Sequence, residues 1–83
     1  MKEIDYNNFL TELVKPLVMH PNDVSATTLA EDGDLITIQI MVHADDLGRV
    51  IGKKGRVANA IRTIAYSSAA RNNKKIEILI DSF

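Results

Sequence analysis

The chain is 83 residues long, 46% apolar and 25% charged, with a formal net charge of −1 and no cysteine. That length supports one small core, the composition argues against disorder, and the missing cysteine excludes disulfides and thiolate metal sites. The opening residues are polar and acidic (Lys2, Glu3, Asp5, Asn7, Asn8) and no apolar run approaches the roughly 20 residues of a membrane helix, so neither a signal peptide nor a membrane span is expected; the lack of cysteine fits a reducing cytosol.

Residues 5 to 18 place Tyr6, Leu10, Leu13, Val14, Leu17 and Val18 on one face of a helix, with Asp5 as its N-cap. Pro16 removes a donor and predicts a kink or a loosened last turn. "HPND" at 20–23 ends the element, because Pro21 disfavours helical angles at His20. Residues 24–30 read as a strand, "EDGD" at 31–34 as a turn with Gly33 at positive φ, and "LITIQIMVH" at 35–43 as a second strand. In that second strand Ile36, Ile38, Ile40 and Val42 alternate with Thr37, Gln39, Met41 and His43, which predicts one buried face and a hairpin with its predecessor.

Asp45 and Asp46 stand where the positive end of a short helix suits them, and that helix should run through Leu47 and Val50 and stop at Gly52. A longer helix is predicted over 56–70. Its apolar residues Val57, Ala58, Ala60, Ile61, Ile64, Ala65 and Ala69 cover about half the circumference, wider than the usual stripe of roughly 100°, which leaves surface for a ligand or a second subunit. "RNNKK" at 71–75 is a polar loop, and Ile76, Ile78 and Ile80 mark a last strand. A right-handed crossover through the two middle helices sets that strand parallel to 35–43, giving a two-layer α+β sandwich with helices on one face.

The charge is unevenly divided: residues 1–46 sum to −7 and residues 47–83 to +6. Such asymmetry points to an anionic partner for the basic half, or to attraction between the halves. The positive charge concentrates in "GRVIGKKGR" at 48–56, with four cations and three of the four glycines. Gly52 and Gly55 bracket Lys53 and Lys54 at a helix–helix junction, where glycine permits unusual backbone angles and a close approach. The amides opening the second helix there offer a seat for phosphate. Arg49, Lys53, Lys54 and Arg56 add full charges around it, and Val50, Ile51, Ala58 and Ile61 supply an apolar floor for bases. Arg62, further along the helix, is either a nucleic-acid contact or a solvated arginine.

Gly52-Lys53-Lys54-Gly55, preceded by Val50-Ile51 and followed by Ala58 and Ile61, resembles the GXXG loop of KH domains, and the element order matches their type II arrangement. Ala58 departs from the isoleucine often found three residues after the second glycine, which widens the floor. "LVKPLVMHPNDV" at 13–24, "DLGRVIGKKGR" at 46–56 and "AIRTI" at 60–64 are similar to the KhpA family of small bacterial single-KH proteins, over nearly the whole chain. The resemblance implies one type II KH domain spanning residues 1–83, with a three-stranded mixed sheet. It implies a non-enzymatic, cytoplasmic binder of single-stranded RNA, acting as RNA chaperone or post-transcriptional regulator. It also implies a homodimer or a heterodimer with a KhpB (Jag)-like protein, a link to cell elongation and cell-wall homeostasis, and no cofactor.

Other chemistry is not indicated. His20 and His43 are the only histidines and lack metal-ligand spacing; His20 reads as part of the helix-ending turn and His43 as a strand end. Asp45 and Asp46 are explained as helix-starting residues, and residues 48–54 miss the P-loop spacing and its Ser or Thr. The four aromatic residues sit outside basic strand motifs, so the stacking platforms of RRM and OB-fold proteins are missing. The rival to RNA binding is a protein-interaction module in which the apolar arc around Ile61 and Ile64 serves a dimer.

Overall fold

The computed structural model describes residues 5–83, so the predicted character of Lys2 and Glu3 lies outside the described residues. Helix α1 (Tyr6–Val14) is capped by Asp5, whose carboxylate accepts the Asn8 amide at 3.1 Å. It buries Tyr6, Leu10 and Val14, spaced four residues apart along one face. The helix is shorter than its apolar pattern. Pro16 has no amide proton to continue the ladder, and Lys15–Leu17 tightens into a 3₁₀ turn, as the loosened last turn required. A second 3₁₀ turn, Pro21–Asp23, leads into the sheet.

Strands β1 (Ser25–Asp32) and β2 (Leu35–Val42) form the predicted antiparallel hairpin. Asp32 pairs with Leu35 around a two-residue turn, with Gly33 at φ +60°. The turn is tighter than "EDGD" suggested, so β1 continues through Glu31 and Asp32. A bulge between Thr28 and Ala30 puts Leu29 out of register and exposes it. Ile38, Ile40 and Val42 point into the core, while Ile36 near the hairpin end is half-buried.

A 3₁₀ turn at Ala44–Asp46 leads into α2 (Leu47–Ile51), and α3 (Arg56–Arg71) follows. Helix α3 ends in a left-handed cap: Asn73 sits at φ 57° and the Lys74 amide returns to the Ala69 carbonyl at 2.9 Å. Strand β3 (Lys75–Ser82) then pairs in parallel with β2, from Leu35 with Lys75 to Val42 with Ser82, giving the order β1-β2-β3. The fold is therefore the expected α+β arrangement, a three-stranded mixed sheet joined by the α2–α3 crossover. Ala58, Ile61, Ala65 and Ala69 form the buried stripe of α3. Three alanines in four positions let this helix lie close over Ile76 and Ile78, each fully buried large aliphatic side chain contributing roughly 1.5–3 kcal/mol.

Candidate nucleic-acid interface

The glycine stretch folds as a hinge between α2 and α3. Val50 is completely buried and anchors α2, and the Gly52 amide closes that helix on the Gly48 carbonyl at 2.8 Å. Gly52 then turns out at φ +76°, ψ 169°. A Cβ there would stand 2.5 Å from Val57 Cγ2 and 2.8 Å from the Val57 backbone nitrogen, so both angle and space demand glycine. Gly55 also has a positive φ, +75°, but its missing Cβ faces open space apart from the Asn59 side chain at 3.9 Å. Between them Lys53–Gly55 makes one 3₁₀ turn, in which Lys54 is left-handed at φ 58°, ψ 25°. A lysine in that region costs roughly 1–2 kcal/mol relative to ordinary angles, so the surrounding turn holds it there.

The charges converge on the exposed side of this hinge. Lys53, Lys54 and Arg56 are exposed, and no carboxylate pairs with them among the described residues. Gly55 is the N-cap of α3 and has no side chain to cap it, and no acidic residue occupies the first helical turn. Three cations and an uncapped positive helix end therefore share one solvent-facing corner.

Two of the expected cations have structural partners. Arg49 donates through Nη1 to the Asp45 carbonyl at 3.0 Å and to Asp46 Oδ1 at 3.3 Å. Arg62 reaches across to the Ile78 carbonyl of β3 at 3.3 Å, which satisfies an acceptor on the outer edge of that strand. The loop after α3 stands at the other end of that helix, 16 residues or about 24 Å from the hinge. There Lys74 pairs with Asp34 at 3.7 Å.

The expected apolar floor needs correction. Val50, Ala58 and Ile61 are 0%, 4% and 2% exposed, so their side chains belong to the core and support the hinge from below. Periodicity marked them as apolar without showing which part of the wide arc meets the sheet. Ile51 and Val57 are the aliphatic side chains half-open at this corner. On α3 the apolar surface left uncovered lies instead at Ala60 and Ile64, the latter 45% exposed.

Asp46 is the residue whose role the sequence hid. It does not cap α2; its carboxylate is fully buried and accepts the amides of Met19 and His20, each at 2.9 Å. It thereby ties the α1–β1 connection to the β2–α2 connection, from which the hinge is hung. Burial opposes its ionisation, but the two amides and the charges of His20 and Arg49 outweigh that and hold its carboxyl below the usual carboxylate range. The sign follows: with the folded-state pKa depressed, this contribution to stability is complete above the unfolded-state value of about 3.9 and is lost as pH falls through the folded value. Asp46→Asn should flatten that part of the acid limb and lower Tm at neutral pH, on the order of 10 °C, because an amide leaves one of two buried donors facing an N–H₂ group. Thermal melts of both chains from pH 7 to pH 2.5 check this.

A hinge with two positive-φ glycines, two exposed lysines and an uncapped helix, set in the order α-β-β-α-α-β, leads to comparison with known proteins. The sequence profile described as "KhpA/KhpB, KH domain" matches residues 7–80. The chain belongs to the KhpA/KhpB KH-domain family. The "RNA-binding protein KhpA" of Listeria monocytogenes is 48% identical over 71 residues, 86% of this chain and 92% of the relative. The Bacillus subtilis protein of the same name is 35% identical over 80 residues, covering 96% and 98% of the two chains. A crystal structure of Aquifex aeolicus Era bound to GDP·AlF4⁻ is similar in fold, with a TM-score of 0.69 at 17% identity. The match covers 99% of this KH-family chain and 33% of that one.

Proposed function

We propose that this KH-family chain is a non-enzymatic binder of single-stranded RNA. The single observation that carries the reading is the unpaired cationic hinge: Lys53, Lys54 and Arg56 gathered around the uncapped start of α3 with no carboxylate among the described residues to neutralise them. The names of the curated KhpA relatives support RNA as the anion. Phosphates dock on the Gly52–Gly55 loop and on these three cations. Arg49 and Arg62, already hydrogen-bonded to the fold, border the path. Bases lie against Ile51 and Val57, and four nucleotides are the span a GXXG clamp holds. With so few phosphate contacts one domain binds weakly, on the order of micromolar or poorer, and sensitively to salt. Mobility shift of a short unpaired RNA, with Lys53 and Lys54 reversed to aspartate, is the deciding experiment.

Self-association accompanies this reading, and an observation of its own favours it. Phe9 of α1 and Thr63, Ile64, Ser67, Ser68 and Arg71 of α3 line a shallow groove on the helical face, about midway along α3 and beyond. We propose that this groove pairs with a second copy or with a KhpB (Jag)-like chain, and that two linked weak sites gain avidity for RNA. The cellular roles of RNA chaperone and regulator of cell elongation and cell-wall homeostasis, in a cytoplasmic setting, rest on the family resemblance. Ile64→Glu places a charge in the groove while leaving the core stripe intact. It should convert a dimer to monomer in sedimentation equilibrium and weaken RNA binding about tenfold through lost avidity. A wild-type monomer would remove the dimer from the proposal.

A further inference from the structure

The fold brings its only two histidines together from positions 23 residues apart in sequence. The His20 and His43 rings stack with centroids 3.9 Å apart and planes at 19°. Asp45 reaches both: its Oδ2 is 3.7 Å from His20 Nε2 and 3.6 Å from His43 Nδ1, and the three ligand atoms all lie within 4.8 Å of one another. We infer that His20, His43 and Asp45 form a site for one dication of the zinc, nickel or copper class, distinct from the RNA hinge at the other end of α2.

Three features carry the inference. The first is spacing. Ligand atoms about 2.1 Å from a tetrahedral ion are roughly 3.4 Å apart; the two edges to Asp45 are within a few tenths of an ångström of that value, and the stacked rings tilt toward one another to close the third. The second is donor chemistry. Two imidazole nitrogens and one carboxylate oxygen suit zinc, nickel or copper, whereas calcium and magnesium call for oxygen ligands throughout. Three protein ligands leave a position for water. The third is support from behind. The buried Asp46 carboxylate grips the His20 amide at 2.9 Å, so the segment bearing one imidazole is fixed to the turn bearing the other two ligands. This tether uses the His20 backbone and survives replacement of its side chain. One internal bond competes: His43 Nδ1 accepts the Asp45 amide at 3.0 Å, so the metal displaces a single hydrogen bond from a lone pair already turned toward Asp45. All three side chains retain solvent access, so an ion can enter.

Tag-free full-length protein titrated with zinc chloride, followed by calorimetry and by histidine ring NMR signals, tests the site. The expected result is one zinc per chain, both imidazole signals moving together, a Tm raised by about 5 °C or more at saturation, and no response to magnesium. His20→Gln should weaken zinc binding at least tenfold with the fold retained by circular dichroism, and Asp45→Asn, which keeps the amide bond to His43, by about tenfold. Absence of saturable binding overturns the site, as does movement of one ring alone. Affinity in His20→Gln or Asp45→Asn within twofold of the parent does so too.

Discussion

Reversing Lys53 and Lys54 to aspartate should weaken binding of a short unpaired RNA at least 100-fold and leave the fold unchanged. Both side chains are exposed and touch no carboxylate among the described residues, so the described structure loses nothing that they stabilise. The backbone is accommodating as well. Lys54 occupies left-handed angles that Asp adopts more readily than most residues, so the turn keeps its shape. The change removes two cations and adds two anions at a corner that owes its attraction for phosphate to charge. Each phosphate contact on a single strand contributes about 0.7 to the slope of log K against log salt, so the slope should fall by roughly 1.4. Anisotropy titrations at several salt concentrations give both numbers. A variant that binds within about threefold of the parent with the same slope would place RNA elsewhere on the molecule.

The elements of this chain are legible because each rests on local chemistry: the Asp5 cap, Pro16 breaking the ladder, Gly33 turning the hairpin, and isoleucines alternating along β2. The parallel placement of β3 followed from chirality alone. What stayed hidden depends on partners distant in sequence. Asp46 looked like a helix-starting acid because its neighbours are a turn and a helix; the amides it binds belong to Met19 and His20. The histidines, 23 positions apart, face each other only in the folded chain. Arg49 and Arg62 looked like free cations because length and flexibility let arginine reach a carboxylate or carbonyl that no motif announces. The apolar arc of α3 showed how much surface avoids water but not its division, which puts Ile61 in the core and Ile64 outside. The cationic hinge itself was plain. Its glycines take positive φ, which is a local property.

Those glycines should not be equally replaceable. Gly52→Ala is expected to destabilise the chain by about 2–4 kcal/mol, and Gly55→Ala by roughly 1 kcal/mol. Both residues have φ near +75°, so alanine incurs the left-handed penalty at either site. Only at Gly52 does the new methyl also meet the Val57 nitrogen, at 2.8 Å. That atom is backbone at the start of α3, so relief requires moving the helix away from α2, not rotating a side chain. The same displacement would open the corner where Lys53, Lys54 and Arg56 gather, so the Gly52 variant should lose RNA affinity along with stability. Gly55→Ala should retain binding close to the parent's, because its methyl enters open space. Urea denaturation of the two variants measures the difference. Equal losses would mean that positive φ alone explains both glycines, and that contact between the hinge and Val57 contributes nothing to holding α2 and α3 at their working angle.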